Sequence, residues 1–540
     1  MRRNKTGKTT SRKARKISKW RIRQIERTVA NDRSYKRVVY NRFLIFAVSV
    51  LFQISLYVLL LLEITNRGGV WLQFAFTLLS VIAVVYILNV EERPSSRINW
   101  IILILAFPIV GIAMYTSFGN GRPTRRMYGK VQAAKKARDG LLQSDARAEK
   151  YIENGGRKYA VGKFLKSVAN YPAYADGRVT YYSTGEATFE AMIEAAEKAE
   201  RFILVEYFII AGGKMWERLL KVLLKKAEQG VQIRIVYDDF GSIFVLPPKY
   251  ERYLEALHEN VRAMAFNNVI PVFAVRLNNR DHRKIFVVDG KVAFTGGVNI
   301  ADEYIGEKIR FGHWKDAGVK VTGSAVNSFT VMFFDLWNAF YREKEDVAAY
   351  LLNETYPQAD GILQPYDDSP LDKLGTGEAV YAELAACAEK YLYVFTPYLI
   401  LDDYLRSALC GAALRGVDVR IVTPGIPDKK TAFRLTRANY APLLRAGVKI
   451  YEYTPGFIHS KCFVCDDEIA VVGTINLDYR SLYHHFENAV LFTDKTAVRA
   501  VKKDAEETFA VSKLRTVENT KRSAVGRLFD SVLRIFEWIF

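Results

Sequence analysis

The most constraining feature of this chain is one pattern of residues that occurs twice. The pattern is His-x-Lys-x4-Asp-x6-Gly-x-x-Asn, and its two copies begin at His282 and His459, which are 177 positions apart. One copy could arise by chance, but two full copies in 540 residues indicate a duplication. We therefore predict that the chain folds as two similar halves that share one site.

Each copy of the motif is predicted to form a β-hairpin. His282 and Lys284 begin an apolar run, and side chains two apart on a strand point to the same face. The run ends at Asp289 and Gly290, a pair typical of tight hairpin turns. The second copy follows the same pattern and turns at Asp466. Two such hairpins that face each other would place paired His, Lys and Asn side chains around one pocket.

This set of side chains suits the transfer of a phosphoryl group from a phosphodiester. Lysine and asparagine can hold the non-bridging phosphate oxygens, while one histidine attacks phosphorus and the other protonates the leaving alkoxide. No metal ion or other cofactor is expected. The candidate catalytic residues are His282, Lys284, Asp289, His459, Lys461 and Asp466. The candidate phosphate or substrate ligands are Asn299, Asn476, Gly297, Thr474, Glu303 and Glu487.

The similarity of the two halves extends beyond the motif and indicates an α/β fold. The apolar runs 204–209 and 394–399 are each followed by a helical pattern and then by a second strand pattern, at 232–236 and 418–422. Strand, helix and strand in this order form a βαβ unit. We predict two βαβ sandwich domains related by pseudo-twofold symmetry, with the site in the cleft between them.

Three uncharged segments near the N-terminus predict transmembrane helices and a multi-pass protein of the cell membrane. The segments span about residues 43–62, 70–90 and 98–118. Each is long enough to cross a hydrocarbon core of about 30 Å. Pro108 and Gly111 interrupt the third segment, so a re-entrant segment is the alternative to a third span.

The 42 residues before these segments carry a net charge of +14. Basic residues beside a hydrophobic segment favour the cytoplasmic side and attract anionic lipids. We therefore predict a cytoplasmic tail that contacts such lipids, and a tail that acts only as a topology signal is the alternative. The rest of the chain contributes only +6, which argues against nucleic acid as a partner.

The C-terminus is a second candidate membrane contact. Apolar residues recur with helical spacing over 527–540, which is too short to cross a bilayer. An amphipathic interfacial helix is predicted, and a helix packed on the protein's own core is the alternative. The predicted organisation is a basic tail (1–42), membrane segments (43–118), a linker (119–165), a first domain (166–345), a second linker (346–375), a second domain (376–515) and the terminal helix (516–540).

Segments that flank the motif, at 206–209, 314–316 and 486–487, add to this pattern. Together they resemble the phospholipase D superfamily, and most closely its bacterial cardiolipin synthase branch. The resemblance extends over about residues 160–540. It implies exchange of phosphatidyl groups between two phosphatidylglycerol molecules, which gives cardiolipin and glycerol through a phosphohistidine intermediate. A hydrolytic phospholipase D, or a phosphatidyltransferase with another acceptor alcohol, would share these motifs.

The resemblance also implies roles for individual residues. Either motif histidine could be the nucleophile, and we favour His282, with His459 as the acid and base. The motif aspartates would orient and support the histidines. Glu303 and Glu487 could buttress the histidine of the opposite half, and a surface or structural role is the alternative.

The chain departs from the usual family sequence at two places. Lys315 stands where arginine is usual, which keeps the charge but loses bidentate geometry. His484 and His485 stand where a Leu-Asn pair is more common. These departures concern lipid preference rather than the chemistry. The partners implied are phosphatidylglycerol and other anionic membrane lipids, and one chain supplies the whole site.

Overall fold

The structure is a computed structural model. It describes residues 51, 55, 58, 69–90, 94–116, 124–268, 278–352, 354, 356–371, 375–535 and 537. Two mixed sheets, of seven and nine strands, form the centre of this part of the chain, and a small two-stranded sheet joins the halves.

The strands up to residue 322 are β1 (Tyr174–Asp176), β2 (Arg178–Tyr182), β3 (Phe202–Tyr207), β4 (Gln232–Asp238), β5 (Val261–Phe266), β6 (Lys284–Val288), β7 (Val292–Gly296), β8 (His313–Lys315) and β9 (Gly318–Thr322). The later strands are β10 (Gln358–Asp368), β11 (Tyr391–Phe395), β12 (Asp418–Pro424), β13 (Lys449–Tyr453), β14 (Gly456–Ile458), β15 (Cys462–Cys465), β16 (Ile469–Gly473), β17 (Glu487–Phe492) and β18 (Ser512–Arg515).

The helices up to residue 340 are α1 (Gly69–Asn89), α2 (Pro94–Ala106), α3 (Pro108–Met114), α4 (Arg125–Ala137), α5 (Ala146–Asn154), α6 (Ala160–Ala169), α7 (Gly185–Glu197), α8 (Lys214–Ala227), α9 (Asp239–Ser242), α10 (Tyr250–Leu257) and α11 (Val326–Phe340). The later helices are α12 (Thr376–Cys387), α13 (Asp403–Leu414), α14 (Lys430–Ala438), α15 (Tyr440–Arg445), α16 (Tyr479–Tyr483), α17 (Lys495–Ala510) and α18 (Ala524–Arg534).

The strand orders confirm the duplication. The seven-stranded sheet has the order β2-β9-β7-β6-β3-β4-β5, and the nine-stranded sheet has the order β1-β10-β17-β16-β15-β11-β12-β13-β18. In each sheet three neighbouring strands are parallel, β3-β4-β5 in the first and β11-β12-β13 in the second. The predicted βαβ units are present as β3-α8-β4 and β11-α13-β12.

The motif hairpins, β6-β7 and β15-β16, turn where the sequence predicts. Asp289 and Gly290 have φ values of 55° and 71°, and Asp466 and Asp467 have φ values of 55° and 62°. Two consecutive positive φ values belong to a type I′ turn, whose twist matches that of the flanking strands. The turn therefore sets how the two strands of each motif pair.

The two sheets share one hydrophobic core. Val287 and Val321 of the first sheet belong to the same buried cluster as Val471 and Leu491 of the second. The other face of the first sheet packs against α7 and α8 in a separate cluster. Burial of apolar area between the sheets is the main attraction that holds the halves together. The fold is α/β with two duplicated domains, as predicted.

Both segments predicted to be linkers contain regular structure. Strand β10 lies within 346–375 and pairs with β1 and β17. Helices α4 and α5 lie within 119–165, and Arg138 just after α4 forms a buried ion pair with Asp335 of α11 at 3.1 Å. The structure differs from the prediction because strand pairing and ion pairs order a polar segment without leaving an apolar pattern in it.

The predicted membrane segments are only partly covered by the described residues. The basic tail lies wholly outside them, as does nearly all of the first segment. Helix α1 corresponds to the second segment, and the third is divided into α2 and α3 around Phe107. None of the helices that the structure describes has the length and apolar character needed to cross a membrane.

Helices α2 and α3 fold back on each other and dock on the second domain. A Cβ atom placed on Gly111 would lie 2.5 Å from the Cα atom of Ile104, so only glycine allows this approach. Trp100 and Ile104 are buried in one cluster with Leu435 and Tyr479 of the second domain. The interruption predicted at Pro108 and Gly111 is therefore a tight helical hairpin.

The predicted terminal helix is present as α18. It packs beside α14, where the Arg434 guanidinium lies 2.6 Å from a carboxylate oxygen of Asp530. Its opposite side exposes Val525, Leu528 and Val532. One side of α18 thus belongs to the protein, and the other side is an uncovered apolar surface.

We expect Gly111→Leu to destabilise the protein by about 1–3 kcal/mol, because the new side chain must separate α2 from α3. The matched control is Gly129→Leu in α4, where a Cβ atom would meet nothing within 4 Å and helix propensity improves. Thermal unfolding of both variants in detergent, followed by tryptophan fluorescence, tests this. Equal midpoints for the two variants would contradict the tight hairpin.

Candidate active site

Each motif histidine is tied through its backbone to the opposite half. The His282 N–H donates to the Phe486 carbonyl at 2.8 Å, and the His459 N–H donates to the Lys315 carbonyl at 2.7 Å. Beside these bonds, Asp281 forms a parallel bridge with Phe486, and β8 pairs in parallel with β14. The two motifs are thereby placed at the same level of the interface between the halves.

The residue after each of these carbonyls is a carboxylate that holds a histidine ring. Nδ1 of His282 lies 2.8 Å from the Glu487 carboxylate oxygens, and Nδ1 of His459 lies 2.7 Å from Oδ2 of Asp316. Both carboxylates are fully buried. Because Nδ1 is occupied in each ring, Nε2 is the nitrogen that can meet a substrate.

Asp316 is the functional residue that motif spacing misses. It follows the motif Asn299 by 17 positions, whereas Glu487 follows Asn476 by 11, so no common spacing connects them. A contact with the opposite half leaves no periodic pattern in the sequence. Asp316 could have been found in the sequence, because it lies in the segment 314–316, which resembles the family.

The motif lysines are buried beside the histidines. Lys284 Nζ donates to the His282 carbonyl at 2.7 Å, and Lys461 Nζ donates to the His459 carbonyl and lies 2.9 Å from the Nδ1 atom of His459. Burial lowers the pKa of Lys284 to about 7 and that of Lys461 to about 8. These ammonium groups have lost much of their hydration, so a phosphate anion placed between them would be strongly favoured.

The histidines are held in their neutral forms. Burial and the charges of the lysines lower the pKa of His459 to about 4. Burial, followed by the charge of Lys284, lowers the pKa of His282 well below its usual value. Burial also raises the pKa of the Glu487 carboxyl well above its usual range. A neutral imidazole is the form that can attack phosphorus or accept a proton.

The turn after each hairpin supports the carboxylates. A Cβ atom on Gly297 would lie 2.0 Å from Oδ1 of Asp316, so glycine leaves room for that side chain. At the equivalent position, the Thr474 hydroxyl donates to Glu487. The contacts of Gly297 and Thr474 thus concern the groups that hold the histidines, and a direct phosphate contact by either residue stays a prediction.

The motif asparagines differ from each other. Asn299 is engaged within its own half: its Oδ1 accepts from the Ile209 N–H at 3.1 Å, and its Nδ2 donates to the Tyr304 hydroxyl at 2.8 Å. Asn476 is buried, and its Oδ1 has no partner among the described residues. Of the two asparagines, Asn476 has the side chain that can turn towards a ligand.

The role predicted for Asp289 and Asp466 is wrong. The Asp289 carboxylate accepts three backbone N–H groups of residues 200–202, at 2.7, 2.7 and 2.9 Å. Asp466 accepts those of residues 389–391, each at 2.8 Å. Both aspartates follow the end of the motif strand, about 16 Å from its lysine at 3.3 Å per residue. They fasten the start of the neighbouring strand and cannot orient a histidine.

Glu303 does not buttress a histidine either. Its partner is Arg310, at 3.4 Å. The next residue, Tyr304, lies near the site, with its ring centroid 5.4 Å from that of His459. Of the two glutamates predicted for this role, Glu487 has the required position.

One group of side chains in the described part of the chain has the composition of a metal site. His282, His485 and Glu487 offer ligand atoms that all lie within 4.8 Å of one another. The ammonium of Lys284 acts on both histidines, and the guanidinium of Arg480 acts on His485. These positive charges oppose a bound cation and favour an anion.

The chain is similar in sequence to known proteins. The family profile described as "Cardiolipin synthase, PLD-like domain" matches residues 181–309 and 381–509. A cardiolipin synthase of Alkalihalophilus pseudofirmus is 34% identical over 443 residues, which make up 80% of this chain and 86% of that protein. The chain belongs to the cardiolipin synthase family.

The chain is also similar to other known proteins. An uncharacterized protein of Streptococcus mutans is 42% identical over 458 residues, which make up 84% of this chain and 98% of that protein. The crystal structure of phosphatidylserine synthase of Haemophilus influenzae superposes with a TM-score of 0.54 at 15% identity, over 71% of this chain and all of that one, and shares the fold. A profile described as "Phospholipase_D-nuclease N-terminal" matches residues 78–120 of this family member.

We expect Asp289→Ala to lower the free energy of unfolding by about 3 kcal/mol or more, because three backbone N–H groups, one of them buried, lose a charged acceptor. Asp289→Asn keeps an acceptor oxygen and is the milder control. Urea unfolding measures the change. A variant of unchanged stability that lost its turnover would show instead that Asp289 acts on the chemistry.

We expect the affinity for sulfate, an anion that does not titrate in this range, to be full below about pH 7 and to fall as pH rises through 8. The reason is that Lys284 and Lys461, with pKa values of about 7 and about 8, carry their charge only below those values. Competitive inhibition between pH 6 and 9.5 measures the effect. Lys284→Met should bind more weakly and lose the lower step, and constant affinity in the unmodified protein would refute this account.

Proposed function

We propose that this protein is a cardiolipin synthase that transfers a phosphatidyl group from one phosphatidylglycerol to a second, releasing glycerol. The observation that carries the proposal is the pair of buried imidazoles, His282 and His459, each held by a carboxylate of the opposite half. Two buried ammonium groups beside them suit a phosphodiester anion. Membership of the cardiolipin synthase family supports the lipid and the acceptor.

The proposed reaction has two steps at one phosphorus atom. In the first, Nε2 of one histidine forms a bond to phosphorus, and the bond from phosphorus to the glycerol oxygen breaks. The other histidine is protonated because the phosphate anion raises its pKa once it is bound, and it gives that oxygen its proton. In the second, the same histidine takes a proton from the hydroxyl of the second lipid, whose oxygen displaces the histidine from phosphorus. One phosphodiester replaces another, so the exchange needs no nucleotide.

The carboxylates and the lysines of the site have different roles in this reaction. Glu487 and Asp316 stabilise the positive charge that develops on a ring when its Nε2 binds phosphorus or a proton. Lys284 and Lys461 neutralise the non-bridging oxygens, where negative charge is concentrated in the transition state. All four groups are fixed before substrate arrives, so little reorganisation is needed during the reaction.

We infer that the protein works at the cell membrane, where its lipid substrate lies. Exposed apolar side chains in the described part of the chain support this inference. In α1 and α2 they include Phe74, Leu78, Ile82, Val85, Ile98 and Leu105, and in α18 they include Val525, Leu528, Phe529 and Val532. The hairpin of α2 and α3 fits the re-entrant alternative. A multi-pass arrangement and a lipid-binding basic tail remain predictions.

We expect purified protein in liposomes of phosphatidylglycerol alone, without added CDP-lipid, to form cardiolipin and glycerol in equal amounts. Thin-layer chromatography and an enzymatic glycerol assay measure the two products. Phosphatidic acid as the main product would replace this proposal with a hydrolytic phospholipase D.

Variants of the histidines test the shared site in the same assay. His282→Ala and His459→Ala should each reduce cardiolipin formation by about 10³-fold or more, since each ring takes part in both steps. His258→Ala, which changes a histidine of the short loop before β5, is the matched control and should keep its activity. Substantial activity in either motif variant would contradict a single site.

A further inference from the structure

The two halves of the site are alike in backbone but differ in the side chain beside each histidine. Two residues before Asp316 is Trp314, and two residues before Glu487 is His485. The ring centroid of Trp314 lies 5.7 Å from that of His459 at an interplanar angle of 44°. The corresponding values for His485 and His282 are 5.5 Å and 41°. His485 and Trp314 therefore occupy equivalent positions in the two halves, and their side chains differ.

The side of the pocket at His459 is aromatic. Besides Trp314, the ring of Phe457 lies 5.9 Å from that of His459, and the ring of Tyr304 lies 5.4 Å away. The Tyr304 hydroxyl accepts from Asn299. This side offers ring surfaces to a substrate, and Nε1 of Trp314, which can only donate, is a buried polar atom without a partner among the described residues.

The side of the pocket at His282 carries the aromatic ring of Phe208, whose centroid lies 5.0 Å from that of His282, and the polar ring of His485. His485 is buried, and neither of its ring nitrogens has a hydrogen-bond partner in the part of the chain that the structure describes. The nearest carboxylate oxygen, Oε1 of Glu487, is 3.7 Å from Nδ1, which is too long for a hydrogen bond. A buried polar group without a partner is unfavourable, so this position indicates a ligand.

The charges around His485 indicate the chemical class of that ligand. Burial lowers its pKa well below the usual value, and the positive charges of Arg480, His484, Arg280 and Lys284 lower it further. The ring is therefore a neutral imidazole, with one nitrogen that donates and one that accepts. A hydroxyl group also donates and accepts, and the nearby positive charge suits an alcohol that carries a phosphate.

We propose that His485 is the specificity-determining residue of an alcohol subsite on the His282 side of the pocket. The subsite holds the glycerol headgroup of the donor lipid as it leaves and the glycerol headgroup of the acceptor lipid as it enters. Arg480 lies beside it and favours an acceptor that bears its own phosphate. The proposal rests on the proposed function and adds where the alcohol binds.

The location of the alcohol assigns the two histidines. In an in-line displacement the leaving oxygen stands opposite the attacking atom, so an alcohol beside His282 leaves the attack to His459. His459 Nε2 bonds to phosphorus, the bond from phosphorus to the glycerol oxygen breaks, and the oxygen takes its proton from His282. His282 regains its proton from the acceptor hydroxyl in the second step, and Glu487 stabilises its protonated ring. This assignment reverses the preference for His282 as nucleophile that the sequence suggested.

The first test measures how the phosphatidylated enzyme divides between two alcohols. Phosphatidylglycerol is the donor, and labelled glycerol and 1-butanol compete as acceptors in detergent micelles. The ratio of labelled phosphatidylglycerol to phosphatidylbutanol reports only the second step, because both products come from one intermediate. His485→Leu should shift this ratio about tenfold towards butanol, and His485→Asn, which keeps a donor and an acceptor, should restore most of it.

The outcomes separate the two proposals. His258→Leu controls for the substitution and should change neither the ratio nor the rate, and the melting temperature of each variant shows whether it folds. An unchanged ratio in a folded His485→Leu that still transfers lipid would overturn the alcohol subsite. If the unmodified protein gives phosphatidic acid but no product with either alcohol, the proposed function itself fails.

The second test locates the covalent bond. A phosphatidyl p-nitrophenol donor has a leaving group that needs no proton. His459 of the His282→Ala variant can therefore still attack its phosphorus, but the variant lacks the base for the second step. Mass spectrometry of its peptides should show phosphatidyl on His459. An adduct on His282 in the His459→Ala variant, with none in His282→Ala, would overturn the assignment.

Discussion

The site depends on two backbone hydrogen bonds between the halves, His282 N–H to Phe486 and His459 N–H to Lys315. Each bond sets the register between a motif and the segment of the opposite half. A shift of one residue would turn Glu487 or Asp316 away from its histidine, because neighbouring side chains on an extended segment point to opposite sides. The duplicated fold therefore becomes one site only when both halves are in register.

Holding four charged or titratable side chains in this interface is costly, since burial disfavours their charged forms. The lowered pKa values of Lys284 and Lys461 reflect that cost. The apolar core shared by the sheets opposes it and keeps the groups in place. A phosphate anion relieves the strain between the lysines, so the same burial that weakens the empty site strengthens the binding of substrate and transition state.

The sequence was most informative where a local rule applies. The Asp289 turn, the βαβ units and the pairing of the two motifs follow from turn chemistry, periodicity and repetition, and the structure confirms them. It was least informative where a contact crosses between the halves. Asp316 and His485 reach their histidines from the opposite half, and no spacing rule links such residues. The role that the resemblance implied for Asp289 was wrong, because the four strand residues that follow Lys284 carry the turn away from His282.

The position of Glu487 late in the chain has a consequence for synthesis. Chains fold from the N-terminus as they leave the ribosome, so the first domain can assemble long before β17 exists. Until then His282 has no carboxylate and its strand has no partner from the second domain. Strand β10, which joins β1 to β17, likewise waits for the last strands. A nascent or truncated chain can thus hold a folded half without the means to act on a lipid, and lipid chemistry begins only when the chain is nearly complete.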